Sequence, residues 1–379
     1  MKTEVAVYVI NVDWYFNLHW LQRARALKDA GAEVHVVMSV TNADNVDKLN
    51  REGFLCHQWN IERKSMNPVI NFLRFIELYR LLSKIKPDII HAITIKPNLF
   101  VGLMSYFIKI PYVLSVTGTG IIFSGKSWQL KMARPFIRGL YKLPQYNKTP
   151  YKIIFENQED KSYFIDTGLC GDHEAVTILG AGVDTDIFKV TTIGNDHQPV
   201  ILFAARLLWD KGLGDLLEAS KILRQKGLDF TIWVAGIVDQ DTINAIDMDL
   251  LKDWNQAGVI EWLGTETDMP GLMAKTDIVV LPTFYGEGVP RVLIEAAACA
   301  RPVITTNIAG CREIVQDGVN GLLVPARDIK ALARAMERLL LSPDLRRQMG
   351  QSGRELVENS FSEQQVISET MSLYCELLQ

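Results

Sequence analysis

Short apolar runs rich in β-branched residues recur along this chain, each followed by a stretch with helical period, and the alternation runs through its 379 residues twice. In the first half Val5 to Ile10, Val34 to Met38, Asp88 to Ala92, Tyr112 to Val116 and Ile153 to Phe155 read as strands. Leu18 to Ala30, closed by Gly31, and then Pro68 to Ile85 and Leu99 to Ile108 read as helices. The strand segments are continuously apolar, which predicts parallel sheets covered by helices on both faces. The second half repeats the plan with Val200 to Ala204, Phe230 to Ala235, Val259 to Leu263, Ile278 to Leu281 and Val303 to Thr305. An α/β chain with two doubly wound, Rossmann-like domains facing across a cleft is therefore expected. Sheets of this kind bind ligands outside the carboxyl ends of their strands, so functional residues are sought on the loops that follow strands.

The polar run Thr191 to Gln198 has neither period and suits a linker. The expected division is an N-terminal domain over 1–188, a C-terminal domain over 189–360, and a helix over 361–379 that packs back on the first domain.

No apolar run approaches the roughly 18 residues that span a bilayer, and Val5 to Ile10 is too short for a signal peptide. A cytoplasmic location is expected. Cys56, Cys170, Cys299, Cys311 and Cys375 are scattered, without zinc-ligand spacing, so neither a metal nor a disulfide is expected. Up to residue 190 the chain carries 23 basic against 18 acidic residues, and beyond it 17 against 26. The basic first half suits an anionic partner, such as a membrane surface or a lipid diphosphate.

Two loops in the second half carry candidate chemistry. Arg206 and Lys211 follow the strand Val200 to Ala204, where a guanidinium fork and a mobile ammonium suit a diphosphate. They also read as two solvated loop charges, one of them beside Asp210. After Ile278 to Leu281 comes Gly286-Glu287-Gly288-Val289-Pro290, which opens a helix bearing Glu295. The glycines permit close backbone approach, Pro290 suits the first helical position, and the free N–H groups of the helix start face an anion. The plainer alternative is a loop acid plus an i, i+4 ion pair of Glu295 with Arg291.

Taken together, these motifs resemble the nucleotide-binding domain of the retaining family 4 glycosyltransferases, which have the GT-B architecture. The resemblance rests on Arg206 and Lys211, on the E-x7-E spacing of Glu287 and Glu295, and on Arg301-Pro302-Val303, Gly310, Glu313 and Gly318-Val319-Asn320-Gly321. It implies that Arg206 and Lys211 bind the donor diphosphate, that Glu287 contacts the donor sugar, and that Glu295 holds the ribose. Gly288, Val289 and Pro290 line the donor, while Gly236 and Leu263 lie where the family holds the nucleobase. Arg206, Lys211 and Glu287 are thus the catalytic candidates, acting on a UDP-sugar without a metal or other cofactor.

Asn11 to His19 follows the first strand where many relatives have a glycine-rich loop, a version similar to a branch that builds bacterial surface polysaccharides. Asp13, His19, Thr117 and Gly118 are candidate sugar contacts on this side. Thr117 stands where many members of the family have a histidine. Asp13 also reads as a helix cap and His19 as a structural histidine.

From Lys126 to Lys152 there are seven basic residues and no acid, among them Lys126, Lys131, Arg134, Arg138 and Lys142, interleaved with Trp128, Phe136, Tyr141, Tyr146 and Tyr151. This interfacial composition suits a membrane or lipid diphosphate; a nucleic-acid surface would share it but is made inferior by the nucleotide-sugar motifs, and a solvated helical face plus loop is the plainer alternative. The resemblance is greatest to bacterial transferases that add α-linked N-acetylgalactosamine to lipid-linked sugars. The expected enzyme is a retaining transferase of a hexose or N-acetylhexosamine, peripheral on the inner membrane, with a polyisoprenyl-diphosphate-linked glycan as acceptor. A non-hydrolysing UDP-sugar epimerase and a non-catalytic sugar-nucleotide sensor are the other readings. A nicotinamide dehydrogenase is disfavoured, because neither first strand precedes G-x-G-x-x-G.

Overall fold

The computed structural model describes residues 4–62, 67–118, 128–192, 194, 197–237 and 244–379, the side chains of residues 129 and 130 excepted. Its contacts divide the chain into two units, one of Met1–Ala181 with Gln364–Gln379, the other of Gly182–Glu363. The first division falls upstream of the 188/189 position expected from composition. Segment 182–192 belongs to the second unit through Val183 N–H to Phe361 O (3.1 Å), Arg354 to Phe188 O (2.7 Å) and Arg301 to Thr191 O (2.8 Å).

The first unit is built on a seven-stranded parallel sheet of β1 (Val5–Val9), β2 (Glu33–Met38), β3 (Leu55–Gln58), β4 (Ile89–Ile93), β5 (Tyr112–Val116), β6 (Tyr151–Phe155) and β7 (Ala175–Thr177). Their order is β3-β2-β1-β4-β5-β6-β7. β3 and β7 were not expected. Both are sheet edges with weak alternation, and Leu55–Gln58 carries polar His57 and Gln58. The stretch expected as one helix is two, Asp13–His19 and Leu21–Asp29, broken at Trp20, whose indole is buried 4.9 Å from the His91 ring. The helix expected from Leu99 runs over Ile95–Met104 instead, with Pro97 inside its first turn, where a missing N–H costs nothing.

The C-terminal helix Glu363–Leu377 belongs to this sheet's core, where Val366, Leu373, Tyr374 and Leu377 are buried against Tyr8, Phe16 and Trp20. Its polar anchor is also buried. The Tyr374 hydroxyl meets Tyr8 Oη at 3.0 Å and His91 Nδ1, while His91 Nε2 meets Ser115 Oγ at 2.7 Å. Burial, aided by the nearby Arg23 charge, holds the His91 pKa well below the ordinary histidine value. At neutral pH His91 is thus uncharged in the folded chain, and both ring nitrogens are hydrogen-bonded.

The second unit has β8 (Val200–Ala204), β9 (Thr231–Ala235), β10 (Glu261–Gly264), β11 (Ile278–Leu281), β12 (Val303–Thr306) and β13 (Gly321–Val324), all parallel, in the order β10-β9-β8-β11-β12-β13. The chain winds outward from β8 to β10 and then returns to pair β11 with β8. The crevice between the carboxyl ends of β8 and β11 is therefore the topological switch point. Both units are Rossmann-like, as expected.

The His91 environment generates a pH prediction. An unfolded histidine binds a proton near pH 6.5 and the folded one does not, so stability is full above that value and falls as the pH drops below it. Melting temperatures followed from about pH 7 to 5 should decline in the wild type and decline less steeply in His91→Gln. Parallel slopes would remove His91 as the titrating group.

Candidate active site

The switch point of the second unit brings together the two loops that the sequence singled out. After β8, residues 205–208 lead into a single 3-10 turn, Trp209–Lys211, which ends at Gly212 with φ +86°. A Cβ at Gly212 would lie 2.2 Å from the carbonyl oxygen of Pro282, the residue after β11. Only glycine satisfies both the left-handed backbone and that approach. The two loops are further sewn together by Phe284 N–H to Asp210 O at 2.9 Å and by the Thr283 hydroxyl, 3.2 Å from the same oxygen.

Lys211 is buried, and its ammonium donates to Glu287 Oε1, whose side chain is itself only 14% exposed. Tyr285 lies beneath both cations, its ring centroid 5.1 Å from Lys211 Nζ and 5.8 Å from the Arg206 guanidinium carbon. Thr283, fully buried, sits 3.3 Å from Glu287 Oε1 and accepts the Tyr285 N–H at 3.2 Å. The structure thus gathers Arg206, Lys211 and Glu287 at one place, and adds Thr283 and Tyr285 as the groups that hold them. Neither had been singled out. A threonine closing an apolar strand offers no signal until its neighbours are known.

Pro290 is the N-cap rather than the first residue of the helix Arg291–Ala298, with φ −64° and ψ 117°. A residue followed by the helix start keeps an extended ψ at this position, and Pro290 tolerates it. Gly288, Val289 and Pro290 are buried, and a Cβ on Gly310 would lie 1.5 Å from Gly288 O. The loop thus rests against the helix Ala309–Ile314, where only glycine fits. Glu295 is buried at 5% exposure and pairs with Arg291, Nε to Oε1 2.7 Å. The ion pair anticipated as the plainer alternative is present, but buried rather than solvated. Burial raises the Glu295 pKa, and the Arg291 charge and hydrogen bond oppose that rise.

Gly236 and Leu263 end β9 and β10 on the same edge of the sheet. A Cβ at Gly236 would stand 1.7 Å from Ala205 O, so this glycine lets β9 close against the Arg206 loop. The Leu263 side chain is exposed at 37%.

On the first unit the candidates are placed differently from one another. Asp13 is fully buried, and its carboxylate accepts Thr41 Oγ1 (2.5 Å), Asn42 N–H (3.0 Å) and Asn45 Nδ2 (3.1 Å). Burial pushes its pKa up, but these hydrogen bonds outweigh that and leave it below the ordinary aspartate value. It staples the helix start to the segment after β2; it is the first helical residue and does not act as a cap. His19 closes the same helix with its ring 4.4 Å from Tyr15. Thr117 is half-buried after β5, followed by Gly118 at φ +106°; Lys126 lies outside the described residues. Lys131, Arg134, Arg138 and Lys142 share the helix Trp128–Lys142, Lys131 exposed and the other three partly so.

Residues 198–342 match the family model described as glycosyl transferases group 1, and residues 6–150 match glycosyl transferase 4-like. This chain is a glycosyltransferase of the group 1, family 4-like kind. It is 27% identical to an N,N'-diacetylbacillosaminyl-diphospho-undecaprenol alpha-1,3-N-acetylgalactosaminyltransferase of Campylobacter jejuni, over 85% of each chain. It is 29% identical to the capsular polysaccharide biosynthesis glycosyltransferase CapM of Staphylococcus aureus, over 92% of this chain and 91% of that one. Among solved structures, Anabaena Alr3699/HepE in complex with UDP and glucose superposes with a TM-score of 0.79 at 17% identity, covering 99% of this chain and 100% of that one. The fold is GT-B.

The hydroxyl of Thr283 yields a test of how this glycosyltransferase builds its site. Thr283→Val keeps the shape but leaves the half-buried Tyr285 N–H without this acceptor, at a cost of about 1 kcal/mol. Turnover should fall more than the melting temperature alone explains, because Glu287 loses a contact. Unchanged turnover in a folded variant would show that Thr283 does not position Glu287.

Proposed function

We propose that this glycosyltransferase transfers a hexose or N-acetylhexosamine, N-acetylgalactosamine in the narrowest form, from a UDP-sugar to a saccharide on polyisoprenyl diphosphate, with retention of configuration. The observation that carries the donor half is the meeting of Arg206, Lys211 and Glu287 at the β8/β11 switch point. Two cations and the start of the helix Arg291–Ala298 supply positive charge where a nucleoside diphosphate leaves. Glu287 and Glu295 supply acceptors for sugar and ribose hydroxyls. The bond from the donor's anomeric carbon to the diphosphate breaks and a bond to the acceptor hydroxyl forms on the same face, the proton passing to the departing diphosphate. No metal is required for this charge balance in the proposal.

Lys211 and Glu287 meet side by side, so in this reading one place offers an ammonium to the diphosphate and a carboxylate to the sugar hydroxyls. The acceptor half rests on the name of the Campylobacter relative and on the basic helix of the first unit. Ile137 and Tyr141 bury one face of that helix. Lys131, Arg134, Arg138 and Lys142 stand beside exposed Trp128, Met132 and Phe136, a composition suited to anionic headgroups and to the lipid diphosphate. Among the described residues no helix is long and apolar enough to cross a membrane, and the proposed attachment is peripheral, on the cytoplasmic face of the inner membrane.

Lys211→Ala should reduce turnover at least about a hundredfold, the order expected for removing a charge that stabilises a leaving group. Because it strands Glu287, the pair Lys211→Met with Glu287→Gln controls for folding; near-normal turnover in either protein would remove Lys211 from this role. Incubation with a panel of UDP-sugars and short polyisoprenyl-diphosphate saccharides, read by product mass, tests the whole reading. One transferred sugar is expected with one donor preferred. Epimerised donor without acceptor, or donor binding without transfer, would overturn it.

A further inference from the structure

One residue outside the motifs reaches the candidate site from two strands away. After β13 the chain turns over Pro325 to Asp328, closed by Asp328 N–H to Pro325 O at 3.2 Å, before the helix Ile329–Leu340 that Asp328 caps. Arg327 is the third residue of this turn and holds φ +66°. A turn with positive φ at that position favours glycine or asparagine, because a Cβ is strained there. The turn itself asks for no long side chain at this place, so an arginine kept there calls for an account outside the turn.

The Arg327 guanidinium carbon lies 3.7 Å from the centre of the Phe284 ring. The other cation–ring contacts among the described residues run from 4.2 to 5.9 Å, so this one sets the guanidinium on the ring face at van der Waals distance. Phe284 directly precedes Tyr285 in the loop after β11, and its N–H is tied to Asp210 O at 2.9 Å. Tyr285 in turn has its ring beneath Lys211 and Arg206. In the order β11-β12-β13, Arg327 thus reaches past β12 to grip the loop at the residue next to that cation platform. Its charge also acts on Asp215, in the first turn of the helix Leu213–Gln225, where it opposes the rise that burial gives the carboxyl's pKa. Asp215 Oδ2 is buried without a hydrogen-bond partner. Arg327 therefore acts on elements that follow β8 and β11 from a turn that follows β13.

We propose that Arg327 is a positioning residue for the donor diphosphate: by stacking on Phe284 it fixes the peptide that carries Tyr285, and with it the ring over which Arg206 and Lys211 lie. It touches no reacting group in this role. The loop needs such a hold, because Gly286 and Gly288 give its backbone freedom just beyond Tyr285. The planar guanidinium is the group suited to it, since an ammonium is a point charge that does not lie flat on a ring. The inference rests on the reading of Arg206 and Lys211 as the diphosphate cations, and the test separates the two.

Binding of UDP and of UMP is measured by calorimetry for the full chain, for Arg327→Gly, Arg327→Asn, Arg327→Lys and Phe284→Leu, and for Arg327→Gly combined with Phe284→Leu. Glycine and asparagine both suit a positive φ, so melting temperatures should hold in those variants. UDP affinity should fall about three- to tenfold in each, the worth of one cation–ring contact, and UMP affinity less, because UMP lacks the second phosphate. The lysine variant should lose the preference as well. The combined variant should bind UDP no more weakly than Phe284→Leu alone, since Arg327 acts through that ring. A UDP-to-UMP preference equal to the wild type's in the glycine and asparagine variants, whether both nucleotides hold or both weaken, would overturn the positioning role. Full preference in the lysine variant would assign the effect to charge and overturn the stack. Losses that add in the combined variant would show that Arg327 acts without Phe284, with the same consequence. If the wild type itself does not prefer UDP to UMP, the diphosphate reading of Arg206 and Lys211 fails, and this inference with it.

Discussion

The parallel pairing of β8 with β11 determines where the chemistry of the second unit falls. These strands are distant in sequence, and the register that sets Ile278 beside Ile201 and Val279 beside Leu202 brings their following loops into contact. The approach is so close that Gly212 has no room for a Cβ against Pro282. From that contact follow the bonds of Phe284 and Thr283 to Asp210 and the seating of Glu287 on Lys211. Lys211 and Glu287 are therefore held together by the geometry of the two loops, with Arg206 over the same Tyr285 ring.

Burying an ion pair is costly unless the geometry and further hydrogen bonds offset the desolvation. Lys211 and Glu287 meet that condition with Thr283 at the carboxylate and the Tyr285 ring under the ammonium. Arg291 and Glu295 pair at i, i+4 at the start of a helix, Nε to Oε1 2.7 Å. Both pairs hold charges that the proposed donor site uses, so in that proposal the same residues would serve folding and function. Replacing Glu287 would remove the carboxylate that holds the buried Lys211 ammonium.

Much of this was legible in the sequence. The continuously apolar strand segments specified two parallel sheets, and the central strands agree within a residue or two with the periodic runs. The edge strands did not declare themselves, because Leu55–Gln58 and Ala175–Thr177 are short and only half covered. The break at Trp20 was hidden for a related reason, since an indole buried against His91 satisfies the same apolar pattern as an unbroken helix. In the candidate site, Arg206, Lys211, Glu287 and Glu295 could be picked out by their place after strands. Thr283 could not, because its role consists of contacts to Asp210 and Glu287 that exist only once β8 and β11 pair.

The basic helix and its neighbour show a different limit. Hydrophobic periodicity counts apolar positions without saying what will cover them, so a face destined for the core and a face left exposed look alike in sequence. On Trp128–Lys142 the charge excess distinguished them. On Pro68–Ile85 nothing did, because Val69, Phe72 and Leu73 follow the helical period as well as Phe75, Leu78 and Leu82 do. Only the packing separates the two sets: the second closes over the sheet and the helix beside it, while the first stays 59 to 65% exposed.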